Sequence, residues 1–352
     1  MERFFRWVST VCLAAILLTG VATAQEFKKN VLTGGPSGTY IQIGRDISQI
    51  AGECGLTYTI NESAGSLENF LGVRNRVNTQ FGIVQSDVLE YLRTFSQNDP
   101  EIARAIFGVR IAFPLYNEEV HVLARREITS LNDLNGRKVA IGSENSGTFL
   151  TSSLVLDLAE VRPAERLTID ATASLAALLD GQIDAFFYVA GAPTKLFQTD
   201  EIDSSRFHLL PLTDSTLRAV YVESEIPAGT YPFQQEKVDL VAVKAVMMTF
   251  DYTPQRNAYH RESCKAVSDL VNIVLTNFDR LQTTGHPKWK TVELTDIPPG
   301  WDISECVNQG LDPAYALECR PPAVAQQARQ SPMESEANAV YRQRICEAMG
   351  GC

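Results

Sequence analysis

The sequence predicts an α/β protein of two lobes, each a parallel-type sheet with helices on both faces. Three observations predict it. Short apolar strands alternate with amphipathic helices from about Asn30 onward, several strands run directly into a small-residue turn that opens a helix, and this grammar runs through twice.

In the first pass, Val31-Leu32 ends a strand and leads through Gly34-Gly35-Pro36-Ser37-Gly38-Thr39 into a helix. Tyr40, Ile43, Ile47 and Ile50 of that helix recur at helical spacing and form one buried face. Leu56 to Ile60 reads as the next strand, Ser63 to Ser66 as a turn, and Leu67, Phe70 and Leu71 as the opening of a second helix. Phe81-Gly82-Ile83-Val84 is a buried strand, and Ser86-Asp87 suits the cap of the helix after it. In the second pass, Val120 to Leu123 is a strand, and Leu131 to Gly136 a short helix stopped by glycine. Lys138 to Ile141 is a strand, and a helix with Leu150, Leu154, Leu158 and Val161 on one face follows the turn Ser143 to Thr148. Leu175, Leu178 and Leu179 mark another helix, and Asp184 to Val189 a buried strand. The last strands are Val238 to Val243 and Val246 to Phe250. A long helix then begins near Asn257, burying Val267, Leu270, Val271, Val274, Phe278 and Leu281. After Pro298 the periodicity fades, which predicts an appended, largely extended tail with one short helix near Glu334 to Met349.

The N-terminus carries Arg3 and Arg6, an apolar run from Val11 to Val21, and Ala22-Thr23-Ala24. A charged start, a short apolar core and a small-x-small exit form a cleaved secretory signal over residues 1–24, because the run is shorter than the ~20 residues a membrane span needs. The expected location is therefore periplasmic. The net charge of −11 argues against nucleic acid as a partner, since that binding neutralises phosphates with basic side chains. Cys12 leaves with the leader, and Cys54, Cys264, Cys306, Cys319, Cys346 and Cys352 remain. An even number in an exported chain predicts disulfides, and the spacing lacks the close pairs of a zinc site. No metal and no cofactor are expected.

Catalysis finds little support. His121, His208, His260 and His286 sit in no H-E-x-x-H, and neither a G-x-S-x-G elbow nor a Walker-type phosphate loop occurs. Glu118 and Glu119 are adjacent on a strand, so they point to opposite faces and read as solvated surface. What recurs is the small-residue turn opening a helix, at Gly34–Thr39, Ala64–Asn69, Gln85–Asp87 and Ser143–Thr148. Helix N-termini present backbone N–H groups and a positive dipole end, so they bind anions. Turns of this kind in both lobes suit a ligand held between them, at the carboxyl ends of the strands.

These stretches resemble the TAXI branch of the receptors of tripartite ATP-independent periplasmic (TRAP) transporters. The resemblance runs in order from Thr33–Tyr40 through Glu62–Asn69, Gly82–Asp87, Leu134–Gly142, Ser146–Thr148, Asp180–Ala185 and Ala190–Thr194 to Ile226–Pro232. One departure is Asn117, where the family usually has proline. The resemblance implies a type II periplasmic-binding fold with a ligand cleft between lobes, a receptor role without enzymatic activity, TRAP-type permease subunits as partners, and a small carboxylate ligand such as glutamate, glutamine, 2-oxoglutarate or a dicarboxylate. It implies a ligand set of Gly38, Thr39, Tyr40, Ser66, Asn69, Gln85, Asp87, Ser146, Gly147, Thr148 and Gly191. The expected division is 28–115 with 246–298 for lobe 1, 116–245 for lobe 2, and 299–352 for a cysteine-rich extension. Proximity along the chain suggests the bridges Cys306–Cys319 and Cys346–Cys352. Cys54 and Cys264 remain to pair with each other, as a fold in which both chain ends build one lobe allows. The rival readings are a periplasmic ligand sensor feeding a membrane kinase, which a neighbouring kinase gene would favour, and a hydrolase, which turnover of chromogenic esters would favour.

Overall fold

The computed structural model describes residues 27–36, 38–96 and 98–319. The expected leader, the expected Cys346–Cys352 bridge and the helix expected near Glu334 lie outside the described residues. Among the described residues ten strands form one sheet. They are β1 (Asn30–Leu32), β2 (Thr59–Asn61), β3 (Thr79–Gln85), β4 (Val109–Arg125), β5 (Lys138–Ala140), β6 (Glu165–Leu167), β7 (Ala185–Ala190), β8 (Phe207–Leu209), β9 (Val222–Ile226) and β10 (Val238–Phe250). The order is β2-β1-β3-β10-β4-β7-β5-β6, with β8 beside β4 and β9 beside β10. Pairing is parallel within β2-β1-β3 and within β7-β5-β6, and antiparallel wherever β4 or β10 takes part. The sheet is thus two parallel halves joined by two long antiparallel strands.

The helices are α1 (Thr39–Glu53), α2 (Ser66–Asn75), α3 (Val88–Ser96), α4 (Pro100–Gly108), α5 (Gly147–Leu158), α6 (Ala171–Leu179), α7 (Ser215–Arg218), α8 (Ala258–Thr276), α9 (Phe278–Thr284) and α10 (Glu305–Leu311). Burial in α1 follows its sequence period, with Tyr40, Ile43, Ile47 and Ile50 inside.

The two lobes are visible in how β4 and β10 distribute their side chains. Phe113, Leu115 and Tyr116 of β4 and Ala245 and Met247 of β10 belong to one buried cluster with α1 and α8. Val246 and Met248, alternating with these along the strand, face the other side with Phe70, Leu89 and Leu92. Beyond that point Val120, Val122 and Leu123 of β4 and Val238 to Val243 of β10 join a separate core with Phe186, Phe187 and Phe197. Both strands therefore start in one lobe and finish in the other.

Three sequence expectations are corrected here. The last two strands are a single strand, β10; a register shift against β4 between Lys244 and Val246 breaks the apolar run without ending the strand. The long helix divides at Asn277, whose backbone leaves the helical region (φ −112°, ψ 14°), into α8 and α9. The tail is no loose appendage as far as Leu311. The Ile111 N–H donates to the Asp302 carbonyl at 2.9 Å, and Trp301 Nε1 donates to the Ser86 carbonyl at 3.1 Å. On α10, Cys306, Val307 and Leu311 are buried against α8.

The disulfides follow from that packing. Cys54 bonds Cys319 and Cys264 bonds Cys306. The expected Cys54–Cys264 and Cys306–Cys319 pairs are therefore wrong. Both bridges fasten the C-terminal stretch to α1 and α8 rather than closing small loops within it, because α10 folds back along α8. The tail periodicity was too short to reveal that.

Candidate functional site

The site is a cleft of ≈ 510 Å³ lying where the helices of the two lobes begin. One wall is Gly34, Gly35, Pro36 and Gly38 with Thr39 and Tyr40 of α1, and Ser63 to Ser66 before and in α2. The facing wall is Gly142, Ser143 and Ser146 to Thr148 at the start of α5, with Ala171 and Thr172 of α6. Gln85, Glu118 and residues Phe187 to Ala190 of β7 complete it. A neighbouring hollow of ≈ 190 Å³ shares Gly38, Thr39 and Tyr188, and is lined further by Gln42, Pro193, Thr194, Lys195 and His286.

The N-termini of α1, α2, α5 and α6 meet here. Gly38 caps α1 and Gly65 caps α2, and neither helix has a side-chain cap. Ser146 caps α5, its hydroxyl accepting from the Phe149 N–H at 3.0 Å. Backbone donors and dipole ends thus converge on one space.

The lobes touch beside the cleft. Gly65 has φ 126°, and a Cβ there would lie 3.2 Å from the Gly147 nitrogen. A Cβ on Gly147 would lie 2.1 Å from Gln85 Oε1 and 2.6 Å from Ser66 Oγ. The Glu68 N–H donates across to the Asn145 carbonyl at 3.3 Å. Only residues without side chains allow that approach. Leu150 of α5 is buried in the cluster that holds Phe70 and Leu89.

Of the residues expected from sequence, Gly38, Thr39, Tyr40, Ser66, Gln85, Ser146, Gly147 and Thr148 line the cleft. The other three do not. Asn69 is fully buried and holds strands together, donating to the Thr33 carbonyl and, at 2.7 Å, to the Ile83 carbonyl. Gly191 packs against Lys288 and Tyr116, which leave no space for a Cβ. Asp87 sits beneath the cleft between the lobes, where its Oδ2 accepts from Thr151 Oγ1 at 2.9 Å and from the Tyr221 hydroxyl at 3.2 Å. Burial pushes its carboxyl up to about 6, against the hydrogen bonds from Thr151 and Tyr221. Thr148 also braces the site, since its hydroxyl accepts the Val189 N–H at 3.1 Å.

The residue that the sequence reading passed over is Glu118. It is 3 % exposed and not solvated. Its Oε2 accepts from the Tyr40 hydroxyl at 2.7 Å. Burial raises its carboxyl to about 8, opposed by hydrogen bonds from Tyr40 and Gln85. Glu119 does point the other way, as adjacent strand residues must, but it too is buried: Lys288 Nζ reaches its two oxygens at 2.8 and 2.9 Å. The adjacent acids looked like a charged surface because the sequence does not reveal that β4 is central in the sheet.

Among the described residues, no group of three or more His, Cys, Asp or Glu could hold a metal ion, and no helix is long and apolar enough to cross a membrane. Solved structures to which the chain is similar include a Bordetella pertussis BvgS VFT2 domain (12% identity, 76% of this chain and 92% of that one, TM-score 0.42). Another is the periplasmic binding protein BugD (11% identity, 69% and 82%, TM-score 0.42), and a third is described as a periplasmic transporter (12%, 73% and 87%, TM-score 0.44). Residues 31–296, the span of both lobes and the cleft between them, match the NMT1-like family, and the chain belongs to that family.

Proposed function

We propose that this protein is an extracytoplasmic solute-binding receptor that captures a small carboxylate and delivers it to a TRAP-type secondary transporter, as a member of the TAXI branch. The observation that carries the reading is the meeting of four helix N-termini, two of them without side-chain caps, around one cleft between two lobes. Such ends satisfy a carboxylate with backbone N–H groups and dipole. The cleft suits a molecule of metabolite size. The ordered motifs from Thr33 to Pro232 support the TAXI assignment, with glutamate, 2-oxoglutarate and dicarboxylates as the ligand candidates.

Native mass spectrometry of protein purified without refolding tests it directly: a small carboxylic acid should accompany the chain. A thermal-shift screen should show stabilisation by such acids, and Thr148→Ala should weaken binding by ~1–2 kcal/mol, the usual worth of a lost polar contact. Stabilisation by cations or neutral sugars alone overturns the reading.

A further inference from the structure

The end of lobe 1 opposite the cleft differs in charge from the rest of the molecule. β1 and β3 begin at this end, and β4 begins where β10 stops: Asn30 pairs with Thr79, Phe81 with Thr249, and Val109 with Phe250. The stretches 27–29, 74–78, 107–110 and 250–262 gather here. Hydrogen bonds join them. The Asn30 N–H donates to the Asn78 carbonyl at 3.0 Å, and the Asp251 N–H to the Gly108 carbonyl at 2.8 Å. The Arg74 guanidinium lies 5.1 Å from the centre of the Phe250 ring. From Phe250 a chain of ring contacts runs through Tyr252 and Tyr259 to Phe27, with centroids 5.8, 6.1 and 5.8 Å apart.

These stretches hold seven basic side chains and two acidic ones, in a chain of net charge −11. Two of the seven are paired, Arg76 with Glu68 and Arg110 with Asp251. Lys28, Arg74, Arg256 and Arg261 are exposed. Phe107 and Val77 stand out of the same end, 83 % and 80 % exposed, more than any other large hydrophobic residue described. A single apolar residue on a surface needs no explanation. Two that protrude beside exposed cations form a different feature, because apolar side chains flanked by basic charge are the groups that bind at the surface of an anionic bilayer.

We propose that this end of lobe 1 docks on an anionic phospholipid bilayer, with Phe107 and Val77 entering the headgroup layer and Lys28, Arg74, Arg256 and Arg261 meeting the lipid phosphates. The charge of the whole chain sets the orientation. Its acidic remainder is repelled by the same lipid, so the molecule approaches end-on, by its basic face. The described fold also begins on this face, at Phe27, shortly after the expected leader. This is therefore the end of lobe 1 that a leader crossing the bilayer would bring to the membrane. The cleft lies at the other end of β1 and β3, clear of the lipid. A receptor serving a membrane transporter would gain from such docking, because its search for the transporter is confined to a surface.

The experiment is vesicle flotation with the chain from residue 25 onward, since the apolar run Val11–Val21 would itself enter lipid. Vesicles of phosphatidylcholine alone are set against vesicles containing about one third phosphatidylglycerol. The expected result is binding to the second kind and none to the first. Phe107→Ser with Val77→Ser should weaken binding at least about tenfold, as withdrawing a large apolar side chain from lipid does. Lys28→Glu with Arg256→Glu and Arg261→Glu should abolish it. Both variants change exposed side chains, and melting temperatures equal to that of the wild type show that the fold is kept. Val220→Ser removes an apolar side chain that is 58 % exposed on lobe 2, and should bind as the wild type does. Three results overturn the proposal: no binding to the mixed vesicles, equal binding to both kinds, or full binding by both face variants. An equal loss in Val220→Ser also overturns it. Binding confined to vesicles that carry the permease subunits would make this face a protein contact, and overturns the membrane assignment as well.

Discussion

Thr151 on α5 donates its hydroxyl to Asp87 Oδ2 at 2.9 Å, and this bond crosses from one lobe to the other. Tyr221 donates to the same oxygen from the second lobe, while Asp87 Oδ1 is buried with no hydrogen-bond partner. The carboxyl is raised to about 6 from the 3.8 of a free aspartate, with burial as the main cause. A raised acid stabilises the fold through its neutral form. That contribution is fully present below about pH 4 and is lost as pH rises through about 6. Asp87→Asn keeps an acceptor for Thr151 and Tyr221 and removes the ionisation. It should raise the melting temperature at pH 7.5 and leave it unchanged near pH 4. Asp87 is part-exposed, so the gain is about 1 kcal/mol rather than the ~3 kcal/mol that two pH units represent. A melting temperature at pH 7.5 equal to or below that of the wild type would count against this account.

Gly65 faces the backbone of Gly147 across the lobes beside the cleft, where a Cβ on Gly65 would lie 3.2 Å from the Gly147 nitrogen. Gly65 has φ 126° and ψ −149°, a region open essentially to glycine alone. Gly65→Ala should therefore cost about 1–3 kcal/mol in denaturant unfolding. It should also weaken ligand binding beyond what stability explains, because its Cβ would lie 3.2 Å from the Gly147 nitrogen and resist closure. Ligand titration under conditions where the variant is fully folded separates the two effects.

Much of this was legible in the chain. The α1 face, the β3 run and the α5 turn follow from period and small residues, and the helix ends they create supply most of the cleft walls. What was hidden depends on how distant segments pair. Glu118 reads as surface until β4 is seen flanked by β10 and β7. Asn69 and Asp87 belong to the same motifs as the lining residues, but within a turn the backbone hydrogen bonds decide which side chain faces the cleft. The short apolar residues Val307 and Leu311 form a seam too brief to register as a helix period, yet they dock α10 on α8.

Lys288 and Glu119 form an ion pair with both side chains 8 % exposed. Lys288 Nζ also donates to the Asn117 carbonyl at 3.0 Å, and Glu119 Oε2 accepts the Ala192 N–H at 2.6 Å. The pair ties the helical turn at 287–291 to the strand that joins the lobes. Lys288→Met leaves a buried carboxylate without its cation and should destabilise by about 3–5 kcal/mol. Adding Glu119→Gln removes that charge while keeping an acceptor for Ala192, so the double variant should recover a substantial part of the loss. Chemical denaturation of the three variants measures it, and additive losses would show that the charges are not coupled.

The bridges Cys54–Cys319 and Cys264–Cys306 are separated in sequence by 265 and 42 residues. Non-reducing peptide mapping should recover these two linked pairs. In the chain-entropy account a closed loop of the shorter length contributes about 4 kcal/mol. The Cys264–Cys306 bond is also packed, since both residues are buried and Ser268 Oγ donates to the Cys306 carbonyl at 2.6 Å. Cys264→Ser with Cys306→Ser should therefore lower stability by about that amount, discounted for structure left in the unfolded chain. Cys54–Cys319 lies at the end of the described chain, where the residues before Cys319 pack lightly: Tyr315 reaches Asp269 Oδ1 at 2.6 Å, and Glu318 is exposed. Its removal should free residues 312–319 before it loosens the core, which hydrogen exchange reads as faster exchange after α10 with α8 still protected. Equal loss of protection in α8 and in residues 312–319 would instead make this bridge a fastening of the whole lobe.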